Sequence, residues 1–277
     1  MNIVILTSKT PSNIWLVNQL LGRHEVSGII VESPPLAADA ATKVERRRSM
    51  LRRHGWLKTL NKLAFNWFRS RFLASADATT IAGLVGPGGG YVREVPSVTV
   101  PNINDAAAIR FIEAHAPELL VVCGTTVIKP EVFTLAPRGT INIHTGITPE
   151  YRSADPIFWA LYNGEPEKVG VTVHFVDQGI DTGSIIEQQS VPVFRGDTLA
   201  SLYVRCVSRG ADMMSRAINA IERGAVQTLN RDRVKSRAFY SIDLGLAQYL
   251  LFRWRFRRMQ RVLPLEPHTD ALLEGGA

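Results

Sequence analysis

Ile3-Val4-Ile5-Leu6, near the start of the chain, and Leu119-Leu120-Val121-Val122-Cys123, in its middle, are the apolar runs that decide the fold. A helix-like segment at 11–21 and a strand-like segment at 25–31 follow the first run, which is the alternation that builds a parallel sheet. The second run has no polar residue, as expected of a central strand covered by helices on both faces. We therefore predict an α/β fold with a mostly parallel sheet and helices on both faces.

Glycine patterns exclude two common nucleotide sites. Residues 7–12 read Thr-Ser-Lys-Thr-Pro-Ser, so the Gly-x-Gly-x-x-Gly of a dinucleotide-binding dehydrogenase is missing after the first strand. Gly86-Pro87-Gly88-Gly89-Gly90 lacks the Lys-Ser or Lys-Thr that ends a phosphate loop, and we interpret it as a flexible loop.

Further along, Asn104 is predicted to cap a helix. A long helix is predicted between Asp197, as its N-terminal cap, and Gly224, just past its end.

Composition predicts a folded protein with an uneven charge. The 277 residues are 45% hydrophobic and 21% charged, and the net charge of +7 is concentrated in the segments 43–71 and 231–261. The two cysteines, Cys123 and Cys206, are far apart in the sequence and form neither a disulfide framework nor a zinc spacing. The first residues lack the basic flank of a signal peptide. We therefore expect a cytoplasmic location, either free or peripheral to the inner face of a membrane.

Three polar residues are candidates for catalysis. Because side chains alternate along a strand, Asn142 and His144 lie on one face at its carboxyl end, where open α/β sheets bind ligands. The loop 176–183 has two glycines and the carboxylates of Asp177 and Asp181, and it can fold back over the same edge. Asp181 next to His144 would favour a charged imidazolium and fix its tautomer.

The order of motifs resembles a known family. Asn-x-His at 142–144 is followed by Pro-x-Tyr-Arg at 149–152, Gly-Val-Thr-Val-His at 170–174 and Asp-x-Gly-x-Asp-x-Gly at 177–183. This order resembles the catalytic core of the folate-dependent formyltransferases, which include glycinamide ribonucleotide, methionyl-tRNA and sugar N-formyltransferases. The resemblance is strong over 119–224 and weaker over 1–31. It implies a Rossmann-like fold and an enzyme that transfers a formyl group to an amine.

The resemblance also implies roles for individual residues. Asn142 and a protonated His144 would stabilise the oxyanion, and Asp181 would support the imidazolium and accept the proton that the amine loses. The formyl donor would be 10-formyltetrahydrofolate, and neither a metal nor a covalent intermediate is implied. The donor would bind in a cleft lined by two loops, which contribute Gly124, Thr125, Thr126, Val127 and Ile128, and Val176, Asp177, Gln178 and Gly179.

Three positions bear on the acceptor or on catalysis. Residues 145–149 read Thr-Gly-Ile-Thr-Pro, whereas many members of the family have Pro or Ala followed by Ser-Leu-Leu-Pro, and Ser153 stands where Gly is common. Both changes border the acceptor side, so they bear on the identity of the amine. His174 matches a recurrent histidine of the family, and we interpret it as strand packing in preference to catalysis.

The predicted domain organisation is a catalytic domain at 1–225 with a helical basic insertion at 38–92, followed by a basic and aromatic extension at 226–277. The insertion is predicted to contain two helices broken at Gly55, with a basic face that is either simply solvated or a site for an anionic partner. Between residues 231 and 261, aromatic and arginine residues alternate. This segment suits either association with an anionic membrane surface or docking on its own domain with the arginines in solvent. Binding to a specific nucleic acid is not expected.

The basic insertion and the C-terminal extension restrict the class of amine that can be the acceptor. About fifty residues rich in Arg and aromatics cannot make the five-stranded barrel that follows the core in methionyl-tRNA formyltransferases, and purine-pathway members lack the basic insertion. The favoured acceptor is a phosphorylated small-molecule amine, an amino sugar on a nucleotide or lipid carrier. The alternatives are a methionyl-tRNA formyltransferase-like enzyme, a 10-formyltetrahydrofolate hydrolase, and an inactive scaffold that binds folate or membrane. The oligomeric state is left open.

Overall fold

Nine strands lie in the described part of the chain, which a computed structural model gives as residues 1–34, 40–86, 88–230 and 234–266. Parts of the predicted insertion, of the Gly86–Gly90 loop and of the segment 231–261 lie outside these residues. The strands are β1 (Ile3–Ser8), β2 (Val26–Glu32), β3 (Ser97–Val100), β4 (Leu119–Cys123), β5 (Thr140–His144), β6 (Arg152–Ser153), β7 (Gly170–Phe175), β8 (Ile185–Ser190) and β9 (Ala238–Phe239).

Seven of these strands form one sheet in the order β3-β2-β1-β4-β5-β7-β8. The pairs from β3 to β5 are parallel, and β7 pairs antiparallel with both β5 and β8. β6 and β9 form a separate two-stranded sheet. The predicted mostly parallel α/β sheet is confirmed.

The helices of the described residues cover both faces of the sheet. Along β4, Leu119, Val121 and Cys123 belong to one buried apolar cluster and Leu120 and Val122 to another, as a strand between two helical layers requires. The helices are α1 (Pro11–Leu21), α2 (Ala40–His54), α3 (Trp56–Phe72), α4 (Ala74–Val85), α5 (Ala106–His115), α6 (Pro130–Phe133), α7 (Pro156–Tyr162), α8 (Leu199–Glu222) and α9 (Leu246–Met259).

Two predicted caps are displaced by one residue. The N-cap of α5 is Asp105, and Asn104 instead accepts from Lys129 N at 2.7 Å and donates to Val127 O at 3.0 Å. The N-cap of α8 is Thr198, because the neighbouring Asp197 is occupied by an ion pair with Arg205 at 2.6 Å. In both cases a side chain that could cap a helix binds a more distant group instead.

The insertion contains the predicted break at Gly55, where φ is +78°, between α2 and α3. α4 is a further helix that the sequence analysis did not assign; its first turns contain Ala, Ser and Thr with no strong apolar period. It packs against α1 and α8. The insertion is therefore folded onto the helical layer beside the sheet.

The extension docks on the rest of the protein. β9 pairs in parallel with β6, and α9 packs against α3 and α7. Tyr249 of α9 contacts the ring of Phe65 at 5.4 Å, and Phe252 contacts that of Phe158 at 4.9 Å. Of the two interpretations of the segment 231–261, docking on the rest of the protein agrees with the burial of these aromatic side chains. The neighbouring arginines reach the surface, as that interpretation expects.

Candidate active site

The predicted residues Asn142 and His144 lie on β5 at the carboxyl edge of the sheet. The antiparallel register of β5 and β7 sets His174 directly opposite Asn142. His174 Nδ1 donates to Phe175 O at 2.7 Å, and its Nε2 lies 3.2 Å from Asn142 Nδ2. His174 is buried in its strand, as predicted, but its imidazole also belongs to the polar cluster.

Asp181 reaches this cluster from the loop after β7. Its Oδ2 lies 3.5 Å from His144 Nδ1, and its Oδ1 lies 3.5 Å from His174 Nε2. Ser153 N donates to Oδ2 at 2.9 Å and fixes the carboxylate. The structure therefore brings Asn142, His144 and Asp181 together, with His174 as a fourth member.

His144 is buried, and one of its nitrogens is already committed. Nε2 lies 2.9 Å from Tyr151 O; because a carbonyl oxygen only accepts, Nε2 carries a hydrogen. Burial lowers the pKa of His144 below its ordinary value, and Asp181 offsets this only in part. Burial therefore favours the neutral imidazole, while the carboxylate of Asp181 beside Nδ1 favours the charged one. The expected approach of Asp181 to His144 Nδ1 is present, and the charge that it would favour on the imidazole stays a prediction.

For the pKa of Asp181, in contrast, the neighbouring groups outweigh burial. Burial alone would raise the pKa of its carboxyl group, but the adjacent His144 and His174 and the Ser153 amide outweigh burial and hold that pKa well below its usual range. The carboxylate is therefore ionised. A proton that enters the cluster is held on an imidazole and not on the carboxylate.

The backbone around the cluster is strained. Ser153, Asp155 and Asp181 have φ values of +76°, +54° and +51°, in the left-handed region that disfavours residues with a Cβ. Each such residue costs about 1–2 kcal/mol. The conformation of Ser153 explains why Gly suits this position in the family that the sequence resembles. Strain of this kind clusters at functional sites.

The turn after β5 depends on Gly146. A Cβ on Gly146 would lie 2.6 Å from Pro156 Cβ, 2.7 Å from His144 Nε2 and 2.7 Å from Tyr151 O. Only a residue without a side chain lets the carbonyl of Tyr151 approach the imidazole. The departure from the family pattern at 145–149 therefore includes a glycine that this geometry requires.

The extension also contacts and stabilises the turn after β5. The hydroxyl of Tyr151 donates to Glu165, which also accepts from Arg237 at 2.8 Å. The Arg237 guanidinium stacks over the Tyr151 ring at 4.6 Å. Burial and this carboxylate raise the pKa of Tyr151 to about 12, so its hydroxyl is neutral. A chain of contacts thus runs from the extension to His144.

The cluster lies in a cleft of about 680 Å³. Eight of the nine residues predicted to bind the formyl donor line it: Gly124, Thr125, Thr126, Val127, Ile128, Val176, Asp177 and Gly179. Gln178 differs from the prediction, since it is exposed and does not line the cleft. The reason is local: the Asp177 side chain accepts from Gly179 N at 3.0 Å and from Thr182 Oγ1 at 2.6 Å, and the closed turn carries Gln178 outward.

A buried carboxylate shapes the loop 124–128. Glu32 accepts from Thr126 N at 2.7 Å, from Thr126 Oγ1 at 2.6 Å and from Ile103 N at 2.9 Å. Gly124 has a φ of +75°, and a Cβ there would lie 2.6 Å from Asn13 Nδ2. These contacts hold the loop backbone against the cleft.

Several residues that line the cleft come from segments without a recognisable motif. Asn13 comes from α1, Tyr203 and Val207 come from α8, and Ser241 comes from the extension. Their positions depend on how helices and the extension pack on the sheet, and no local motif marks them. In the described part of the chain, no group of three or more His, Cys, Asp or Glu residues could hold a metal ion.

Comparison with known sequences gives a partial match. Residues 91–218 match the model of a family described as formyl transferase. Methionyl-tRNA formyltransferase of Syntrophus aciditrophicus is 36% identical over 130 residues, which is 47% of this chain and 41% of that protein. That of Desulforamulus reducens is 40% identical over 112 residues, 40% of this chain and 35% of that protein. The match thus spans less than half the length of these relatives.

Comparison with solved structures supports the fold. A glycinamide ribonucleotide transformylase of Symbiobacterium toebii superposes with a TM-score of 0.54 at 22% identity, covering 83% of this chain and 94% of that one. A sugar N-formyltransferase of a Shewanella species superposes with a TM-score of 0.55 at 18% identity, covering 92% and 87%. At these identities the likeness shows a shared Rossmann-like architecture.

Proposed function

We propose that this chain, whose residues 91–218 match the model of the formyl transferase family, moves the formyl group of 10-formyltetrahydrofolate to a primary amine. One observation carries the proposal: an amide, two imidazoles and a carboxylate meet in one cleft, on the residues that match the family's motifs. Acyl transfer to an amine needs a proton acceptor and a donor to the developing oxyanion, and this cluster supplies both.

The lining of the cleft supports the binding of a flat folate ring. Val122, Ile143, Val176 and Val207 give it apolar walls, and the loop 124–128 presents backbone groups of the kind that fix the orientation of a ligand. Bound there, 10-formyltetrahydrofolate would supply a formyl carbon open to attack by an amine. Glu32 keeps the loop in place through its bonds to Thr126.

His144 and Asp181 act on the proton. The neutral imidazole takes the proton of the attacking amine on Nδ1 while Nε2–H stays bound to Tyr151 O. The imidazolium then lies 3.5 Å from the ionised Asp181, which stabilises it. In this scheme the carboxylate supports the base and does not itself take the proton. His144 would return that proton to the tetrahydrofolate nitrogen that is released when its bond to the formyl carbon breaks.

Asn142 acts on the oxyanion. Its amide has two hydrogens, and His174 Nε2 accepts only one of them at 3.2 Å. The second hydrogen is available to the negative charge that develops on the formyl oxygen. Removing one donor of this kind typically costs about a hundredfold or more in rate.

The acceptor that we favour is an amino sugar on a nucleotide or lipid carrier. Ser153, Ala154 and Ser241 form the wall of the cleft next to the extension. The described part of the extension forms β9 and α9, which pack beside this wall. The solved sugar N-formyltransferase covers most of this chain, which is compatible with this acceptor class.

A direct test is to follow the appearance of tetrahydrofolate from 10-formyltetrahydrofolate with a panel of amino-sugar nucleotides and lipid-linked amino sugars. We expect turnover with one acceptor class and a loss of about a hundredfold or more in His144→Ala. His54→Ala, at an exposed histidine of α2, is the control and should keep the wild-type rate. Formate release without an acceptor would indicate the hydrolase instead, and a wild-type rate in His144→Ala would refute the role of His144.

A further inference from the structure

α3 has an apolar stripe that no part of the described chain covers. Trp56, Leu57, Leu60 and Trp67 recur at helical spacing and are 59–65% exposed. On the other side of the helix, Phe65 and Lys62 are buried against α9 and the segment before it. Large apolar side chains this exposed, and on one side of a helix, mark an interaction surface.

α9, which packs on the opposite side of α3, has exposed apolar side chains of its own. It contacts α3 through Tyr249, whose ring lies 5.4 Å from Phe65. Its outer side exposes Leu250 and Trp254, each to 51%. Arg258 stacks over Trp254 at 3.9 Å. We name Trp56, Leu57, Leu60, Trp67, Leu250 and Trp254 the docking face.

The charge of the protein is concentrated around the docking face. Residues 40–72 contain ten Lys and Arg and one Glu, and residues 246–259 contain four Arg and no acidic residue. Because the whole chain carries +7, the remaining residues have a net charge of −6. In α2, the helix that precedes α3, the exposed side chains include Arg47, Arg48, Arg52 and Arg53. The basic character is thus local, as required of a surface that meets an anionic partner.

We propose that the docking face seats the protein on an anionic lipid bilayer, with Trp and Leu side chains at the headgroup boundary and arginines on the lipid phosphates. Exposed leucines gain nothing from a nucleic-acid backbone, which is bound through charge. A second copy would bring the same positive charge against it. A surface of leucine, tryptophan and arginine matches the interfacial helices that lie on membranes. None of the helices described has the length and apolar content to cross a bilayer.

The docking face is linked to the cleft. Lys58 of α3 forms an ion pair with Asp243 at 2.6 Å, and Lys62 Nζ donates to Leu244 O at 3.2 Å. Ser241, two residues before Asp243, lines the cleft. Resting on the proposed function, this connection would hold the formyl-transfer site near the headgroups and favour an amine carried by a lipid.

The test is flotation of the full chain with vesicles, without folate or acceptor, so its outcome is independent of formyl transfer. Vesicles of phosphatidylcholine mixed with phosphatidylglycerol are compared with phosphatidylcholine alone. We expect binding to the first only, and a partition coefficient about tenfold lower in Leu60→Ser and in Trp67→Ser. Leu84→Ser, at a leucine of α4 that is 56% exposed, is the matched control and should bind as the wild type does.

Several results would overturn the proposal. One is the absence of flotation with the anionic vesicles at low ionic strength. Another is equal flotation of Trp67→Ser and wild type, which would mean that charge alone adsorbs the protein. A dimer in sedimentation that Trp67→Ser dissociates would assign the face to a second copy, and duplex RNA binding weakened by the same change would assign it to nucleic acid. Circular dichroism checks that the variants are folded.

Discussion

Replacing Asp181 by Asn tests the electrostatics of the cluster. The amide keeps the shape of the side chain, and its oxygen can still accept from Ser153 N. Only the charge, 3.5 Å from His144 Nδ1, is lost. At this distance and an effective dielectric constant near 20, an imidazolium and a carboxylate attract by about 5 kcal/mol. If half of this acts in the transition state, the rate falls on the order of a hundredfold.

The variant also has a pH signature. Asp181 raises the pKa of His144 against the larger effect of burial, so Asp181→Asn lowers that pKa further. In the proposed mechanism His144 acts in its neutral form, so activity is lost as the pH falls through its pKa, which burial holds below the ordinary value of a histidine. The pH below which kcat/KM declines should therefore be lower in the variant than in the wild type. The pH-independent maximum of kcat/KM should also be lower.

The assay is the pH profile of formyl transfer together with an NMR titration of the His144 imidazole, which needs no substrate. Asp212→Asn, at a surface carboxylate paired with Arg23, is the control and should leave the plateau and the titration unchanged. The reasoning is refuted if Asp181→Asn keeps the plateau rate, or if the pKa of His144 rises or stays constant.

Three further changes test the surroundings of the cluster. Ser153→Gly should raise the free energy of unfolding by up to about 1 kcal/mol in urea melts, since relief of the positive φ exceeds the added freedom of the unfolded chain. Gly146→Ala should lower both the melting temperature and the rate, because its Cβ would lie 2.7 Å from His144 Nε2; an unchanged rate would contradict the tight turn. Arg237→Ala should cost about 1–2 kcal/mol in the same melts, from the lost contacts to Glu165 and the Tyr151 ring; no loss would mean that the extension does not brace the turn.

The sequence predicted correctly those strands whose position depends on a local pattern of apolar and polar residues. The run 119–123 is β4 to the residue, because a strand buried on both faces admits no polar side chain. The side-chain alternation of β5 likewise predicted that Asn142 and His144 would lie together. α4 and the caps of α5 and α8 were less predictable, because Asn104 and Asp197 could each cap a helix and the fold uses them elsewhere.

Tertiary geometry determined what the sequence could not show. His174 joins the cluster through the register of β5 against β7, which no spacing along the chain reveals. Ser241 reaches the cleft because the extension packs back on the core. The lowered pKa of His144 follows from its burial, which opposes the effect of a carboxylate that was correctly expected beside it. A motif therefore indicates which groups meet, but their protonation depends on solvent exclusion.

The pairing of β6 with β9 also sets the order in which the site can be made during translation. Ser153, whose amide holds Asp181, is paired with Phe239, far downstream in the chain. A ribosome that has reached residue 225 has synthesised every motif of the catalytic core but not the strand that aligns this amide. Nascent chains should therefore gain activity only after β9 has left the exit tunnel.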